Sequence, residues 1–152
     1  MVEWLEEVEA LTLKGKIAVP YTWWVGETGS LFLNKIRGKK ILGSQCPSCG
    51  VVFVPPRKNC GRCFVDIDSQ VECGNKGVVT AYTIVRKDHP MYPVKTPFAL
   101  ALIQLDGADV AITHLITRNL ETLKNGTRVE AQFKKASERV GHILDIECFR
   151  II

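Results

Sequence analysis

The sequence predicts a mainly β protein: N-terminal helices, a small cysteine-stapled ribbon, then a five-stranded barrel. Three observations carry this. Two Cys-x-x-Cys pairs, Cys46/Cys49 and Cys60/Cys63, stand with ten residues between them. From residue 71 onward, β-branched and aromatic runs are broken by turn residues at the intervals of a small all-β domain. Ahead of the cysteines, apolar residues recur at helical rather than alternating spacing.

The 152 residues give room for one ordinary domain or two small joined ones. An apolar fraction of 46% and a charged fraction of 24% exclude wholesale disorder. No run approaches the roughly 18 to 20 apolar residues that cross a bilayer. The acidic start, Glu3, Glu6 and Glu7, lacks the basic region of a signal peptide. A cytoplasmic location with no membrane role is the expectation, and in a reducing compartment paired cysteines favour metal over disulfides.

Residues 1–39 are expected to be a helical segment. Trp4, Val8 and Leu11 fall on one helical face, with glutamates on the remaining surface and near the helix start. Pro20 interrupts, and Tyr21, Trp23 and Trp24 follow; they suit either packing on the protein's own core or docking to a partner. Leu31, Phe32, Lys35 and Ile36 predict a second helix, capped by Ser30 and ended at Gly38.

Residues 40–68 are expected to be the ribbon. Lys40 to Gln45 reads as a strand entering the first cysteine pair, Val51 to Val54 as a hairpin strand, and Val65 to Ser69 as a connector. Each Cys pair predicts a knuckle that brings two thiolates onto one ion, with Gly50 and Gly61 easing the turns. Four thiolates with no open position suit structural Zn²⁺, because hydrolytic zinc keeps a place for water. Rubredoxin-like iron and a metal-free redox dithiol use the same residues and stay open. Cys73 and Cys148 fall outside the spacing and read as buried free thiols.

Residues 69–152 are expected to be the barrel. The strands run from Gln70 to Cys73 and on through Gly77 to Lys87, then Phe98 to Leu105, Val110 to Ile116, Thr127 to Lys134, and His142 to Ile151. Asp106-Gly107 signals a hairpin and Asn125-Gly126 a turn into the fourth strand. That strand alternates Val129, Ala131 and Phe133 with polar residues, so one face is wet. Phe98 to Leu105 is apolar on both faces and is expected to be covered twice, by the barrel interior and by the helices or a partner. The strand count and lengths fit an OB-type Greek-key barrel, though spacing alone does not separate it from other small barrels.

The formal net charge is +4, or about +2 once four thiolates and one Zn²⁺ are counted. Between Thr28 and Val65 there is no acid, while Lys35, Arg37, Lys39, Lys40, Arg57, Lys58 and Arg62 are present. That segment suits a polyanion, or a solvated face offsetting the anionic metal site. His89 lies in a loop, His114 on an apolar strand face and His142 at a strand start, and no nucleophile sits in an identifiable motif.

These motifs together resemble a known family: OB-fold proteins with an N-terminal rubredoxin-like zinc ribbon, found beside thiolases and other acyl-coenzyme A enzymes. The resemblance rests on Lys40 to Gly50 with its Cys46-Pro-Ser-Cys49-Gly50, on Phe53-Val-Pro55-Pro56-Arg57, and on Cys60-Gly-Arg-Cys63. It continues through Gly77 to Val85, Pro97 to Leu102 and Gly126 to Val129, so it spans residue 20 to the C-terminus. Gly61 departs from the proline common at the second knuckle. The resemblance implies a non-catalytic scaffold subunit that binds acyl-coenzyme A and assembles with a thiolase and hydroxymethylglutaryl-CoA synthase. It would help retain or channel acyl-CoA intermediates, as in the archaeal mevalonate pathway.

Coenzyme A asks for cations at one end and a narrow apolar groove along the rest. Arg57, Lys58, Arg86, Lys87 and Lys95 are the candidates for phosphate, and Tyr82, His89 and Tyr92 for the groove or for stacking on adenine. The competing reading is a single-stranded nucleic-acid-binding module, a use common to OB folds and zinc ribbons. Few exposed aromatics on the expected strands and a small net charge stand against it. A scaffold that touches no coenzyme A is the third possibility.

Overall fold

A computed structural model of the chain describes residues 12, 15 and 19–152; the helix expected around Trp4, Val8 and Leu11 lies outside the described residues. Helix α1 spans Gly26–Arg37 and starts earlier than expected. Ser30 is therefore inside it rather than capping it, and Val25 at the N-cap makes no side-chain cap bond. Glu27 in the first turn and Lys35 and Arg37 in the last match the helix dipole. Phe32 and Ile36 are buried, one turn apart. The helix stops at Gly38, but the left-handed residue is Lys39, at φ 62°.

Three strands make the ribbon sheet, in the order β2 (Val52–Phe53), β1 (Ile41–Gln45), β3 (Gln70–Cys73). The single strand expected from Gln70 to Lys87 is instead two. β3 pairs antiparallel with β1, Ile41 opposite Cys73, and after Gly74-Asn75 the chain enters the barrel as β4 (Lys76–Val85). The break has a hydrogen-bonding cause: Gly74 N–H donates to the Asp106 carbonyl (2.9 Å) and Ala131 N–H to the Asn75 carbonyl (2.8 Å). Both groups of the crossing point are thus committed to barrel neighbours.

The barrel closes in the order β4, β5 (Phe98–Leu105), β6 (Ile112–Ile116), β8 (Ile146–Ile151), β7 (Arg128–Phe133). All pairings are antiparallel except β6 with β8. This is the five-stranded OB-type barrel, and alternate residues fill it: Val79, Ala101, Ile103, Val129, Ile146 and Phe149 are essentially inaccessible. Side chains of this size contribute about 1.5–3 kcal/mol each when fully buried, while the alanines let opposite walls approach. Gly107 and Gly126 both take positive φ, 86° and 88°, at the expected turns.

Two strand starts differ from expectation. β6 begins at Ile112, because Asp109 is spent on the ribbon: its N–H donates to the Val52 carbonyl (3.0 Å) and its Oδ2 accepts from Val52 N–H (2.8 Å). β8 begins at Ile146, because Ile143–Asp145 forms a 3₁₀ turn with His142 at its N-cap. Among the described residues the outer side of Phe98 to Leu105 carries no full cover. Leu100 is 40% and Leu102 42% exposed. α1 packs on β1 and on the Ile143–Asp145 turn, so it leaves the outer face of β5 open.

Gly77 lies opposite Leu105 on β5. A Cβ there would stand 2.4 Å from the Gln104 carbonyl oxygen, a backbone atom that cannot rotate away. Gly77→Ala is expected to cost about 1–3 kcal/mol, read as a fall in the thermal midpoint, while Gly107→Ala tests turn strain alone and costs less.

Candidate functional site

The two cysteine knuckles are near copies. Cys46 N–H donates to Val51 O (3.0 Å) and Gly50 N–H to Cys46 O (3.0 Å); Cys60 N–H donates to Val65 O (2.9 Å) and Phe64 N–H to Cys60 O (2.9 Å). Within each, an amide donates to the first sulfur: Cys49 N–H to Cys46 Sγ at 3.5 Å, Cys63 N–H to Cys60 Sγ at 3.4 Å. The left-handed residue is Gly50 (φ 73°) in the first knuckle and Phe64 (φ 56°) in the second. Gly61 was expected to ease that turn, but Phe64 supplies the positive φ, and its ring is 88% exposed.

The four Sγ atoms lie within 4.8 Å of one another, with Cys49 and Cys60 sulfurs 3.9 Å apart. Tetrahedral Zn²⁺ with bonds of about 2.3 Å sets its sulfurs about 3.8 Å apart, so the donor set fits that ion. All four positions are taken by protein, which makes the centre structural. Cys46 and Cys60 are buried and Cys49 is exposed. Donation from Cys49 N–H brings the Cys46 thiol down to about 7. The Val51 N–H acts in the same direction on Cys49, but desolvation and bonds to the neighbouring sulfurs outweigh it and push that thiol up to about 11. A divalent cation stabilises all four thiolates together and releases their protons, so loading weakens as pH falls.

Behind the knuckles, Ser44 Oγ accepts from Arg57 N–H (2.8 Å) and donates to Arg57 O (3.0 Å), and the Arg57 guanidinium lies over the Phe53 ring at 5.2 Å. Lys58 is ion-paired with Asp68 (2.8 Å) and Lys40 with Glu72 (2.8 Å), so acids beyond residue 65 offset part of the basic run. Such exposed pairs contribute little stability, but they lower the local field.

The coenzyme A candidates fall into three places. Arg57 and Lys58 are on the ribbon, and Lys58 lines a small cleft with Glu27 and Asp68. Tyr82 sits on β4 opposite Ala101 and donates its hydroxyl to the Leu123 carbonyl (2.7 Å), which ties β4 to the segment before β7. Arg86, Lys87 and His89 belong to the loop joining β4 to β5. There His89 and Lys95 line a cleft of about 600 Å³ with Asp88, Tyr92 and Pro93. His89 Nδ1 accepts from Met91 N–H (3.2 Å), and its ring lies 5.5 Å from that of Tyr92. The ribbon pair and the loop set do not share a cleft.

Tyr92 and Pro93 continue into a second cleft, of about 340 Å³, that no single sequence motif pointed to. Its wall is the outer face of β5 and β6, with Phe98, Leu100 and Leu115, closed at one side by Ile143 and Leu144. The double-faced hydrophobicity of Phe98 to Leu105 was its only sequence signal. His114 also reaches it. Leu115 N–H donates to its Nδ1 (2.9 Å), which leaves Nε2–H facing the Ile143 carbonyl at 3.4 Å. Burial drives the imidazole pKa down, so the ring is neutral near pH 7 and both nitrogens are engaged.

The Ile143–Leu144 side is shaped by Asp145, which is fully buried. Its carboxylate accepts from Gly141 N–H (2.7 Å), His142 N–H (3.2 Å) and Val140 N–H (3.2 Å). Burial alone would raise its pKa, but those backbone donors outweigh it and hold the carboxyl below its usual range. Cys73 is buried and Cys148 half-buried, and both are free thiols.

Metal analysis of purified protein is expected to give one zinc per chain, and Cys46→Ser or Cys63→Ser to release it and unfold the ribbon; full zinc with unchanged stability in either variant would contradict the ligand assignment. Asp145→Asn is expected to cost about 1–3 kcal/mol at neutral pH. Because the folded pKa is depressed, wild type holds this advantage above the unfolded carboxylate value of about 3.9 and loses it as pH falls through the lower folded value. Thermal melts of both proteins between pH 7 and pH 3 would show the gap closing.

Residues 39–68 match the family described as "ChsH2, rubredoxin-like zinc ribbon domain", and residues 70–134 that described as "ChsH2, C-terminal OB-fold domain". A DUF35 domain-containing scaffold protein of Methanocaldococcus jannaschii is 25% identical over 99 residues, covering 64% of this chain and 70% of that protein. One from Pyrococcus furiosus is 29% identical over 99 residues, covering 65% and 72%. A crystal structure of a DUF35-family protein of unknown function from Sulfolobus solfataricus superposes with a TM-score of 0.61 at 28% identity, covering 84% of this chain and 83% of that one. A chain of the Ltp2-ChsH2(DUF35) aldolase shares the fold, with a TM-score of 0.61 at 19% identity, covering 84% and 96%. With both modules matched in order, and all four clustered cysteines inside the first, the chain joins a ChsH2-type rubredoxin-like zinc ribbon domain to a ChsH2-type OB-fold domain.

Proposed function

We propose that this chain is a non-catalytic, cytoplasmic scaffold subunit that binds acyl-coenzyme A and assembles with a thiolase-type enzyme, retaining acyl-CoA intermediates for it. One observation carries the reading. The polar loop cleft with His89 and Lys95 runs, through Tyr92 and Pro93, into the apolar cleft on β5 and β6. A ligand charged at one end and apolar at the other matches that sequence of surfaces. Arg86 and Lys87, exposed at the start of the same loop, are placed to meet its phosphates, with His89 and Tyr92 against adenine or pantetheine.

Further support comes from the chemistry of the site. The four-sulfur centre leaves no position for substrate, and both nitrogens of His114 are engaged, so neither offers a catalytic group. The scaffold names of the archaeal relatives, and the presence of this fold in the Ltp2-ChsH2(DUF35) aldolase, agree with a partner enzyme supplying the reaction. On this reading the ribbon of residues 40–68 and the helical segment of 1–39 give the partner its docking surfaces, the barrel of 69–152 the ligand cleft. A thiolase is the partner enzyme on this reading.

The nucleic-acid alternative needs aromatic platforms on the barrel wall. The open face of β5 presents Leu100 and Leu102 instead.

Affinity purification of the tagged chain from its native host is expected to recover a thiolase in stoichiometric amount. Titration with acyl-CoA, alone and with that partner, is expected to saturate, and replacing Arg86 and Lys87 together by alanine to weaken it about tenfold. Recovery without any acyl-CoA enzyme, together with salt-sensitive binding to a random oligonucleotide, would assign the chain to the rival class.

A further inference from the structure

We infer that the cleft on the outer face of β5 and β6 seats the hydrocarbon chain of the acyl group, so that the thioester it selects carries a medium-length aliphatic chain. This rests on the acyl-CoA reading above and adds the class of acyl group. Three separate elements build the cleft. Strand register places Leu100 opposite Leu115 on β6 and Phe98 opposite Val85 on β4, so these side chains share the outer face. The β4–β5 loop supplies the second wall, where Tyr92 meets Phe98 edge-on at 5.5 Å. The third is the turn of Ile143 and Leu144, held by the buried carboxylate of Asp145.

The lining decides the chemistry of the occupant. Of its side chains only Tyr92, Thr113 and His114 carry polar atoms. Tyr92 and Thr113 are exposed, and the imidazole already has both partners. A carboxylated or hydroxylated acyl group would find only the Tyr92 and Thr113 hydroxyls to replace its water there, whereas an alkyl chain loses nothing. At roughly 30 Å³ per water in the liquid, about 340 Å³ corresponds to about eleven waters, room for a chain of roughly six to ten carbons. An acetyl group would leave most of that apolar surface wet. The direction of the ligand follows from the junction at Tyr92 and Pro93, which puts the charged end toward His89 and Lys95.

The test uses the zinc-loaded full chain, alone and in complex with its co-purified thiolase, titrated with coenzyme A and its acetyl, butyryl, hexanoyl and octanoyl thioesters. Each added methylene is expected to tighten binding about fourfold from butyryl to octanoyl. Leu100→Glu is a change at a position 40% exposed. It should flatten the series to the level of acetyl-CoA while the chain stays folded and zinc-loaded. Leu100→Trp, which fills the cleft without a charge, should do the same if the glutamate variant does not fold.

A series with no dependence on chain length, coenzyme A still binding, would overturn the acyl-chain site and leave the acyl-CoA scaffold standing. No binding of any thioester, alone or in complex, would overturn both. If Leu100→Glu abolishes co-elution with the thiolase while octanoyl-CoA still binds, the cleft is a protein contact and the inference is wrong.

Discussion

Four sulfur atoms confined within 4.8 Å are the constraint on which the rest depends. Thiolates at that distance repel unless a cation lies among them, and the knuckle amides can satisfy only part of their charge. Bringing them together fixes both knuckles, and with them the start of β2 and the end of β1. β1 is also paired with β3, whose continuation is the first barrel strand. Asp109 closes the circuit from the other side by binding both backbone groups of Val52. Ribbon and barrel are therefore joined through hydrogen-bonded backbone at two points rather than by a loose linker. A module with so few apolar residues of its own gains its order from the ion and from these neighbours.

The open face of β5 is the second consequence of that arrangement. α1 buries Phe32 and Ile36 against β1 and the turn before β8, and having done so cannot reach the opposite side of the barrel. Leucines that would be ordinary core residues in a two-layer packing become the floor of a cleft. An alternating strand with one wet face would carry polar residues at Leu100 and Leu102. Leucine at both positions instead leaves an apolar strip on which a ligand or partner can rest.

The loop between β4 and β5 connects these surfaces to the charged part of the molecule. Asp88 accepts from the Thr96 hydroxyl (2.5 Å) and from Thr96 N–H (3.3 Å), so the loop is closed at its base while its cations face solvent. The Thr96 bonds hold the Asp88 carboxyl below its usual range, keeping that closure ionised near neutrality. Lys58, by contrast, is already matched by Asp68. The loop therefore offers the freer positive potential of the two candidate regions.

Much of this was legible in the residues themselves. Cysteine spacing picked out the four sulfurs that cluster, because a two-residue gap lets a single turn present two sulfurs to one point. Asp106-Gly107 and Asn125-Gly126 marked turns, because a positive φ is nearly free for glycine. The alternation at Val129, Ala131 and Phe133 gave the buried face of β7. Each of these is a local property, set by covalent geometry within a few residues. What tertiary structure alone decided was non-local: that Gln70 to Cys73 joins the ribbon, that Asp109 holds Val52, that Phe64 adopts the left-handed turn, and that α1 leaves β5 uncovered. Those outcomes depend on which distant donors and apolar surfaces meet in space, and such pairings leave no periodic mark on the chain.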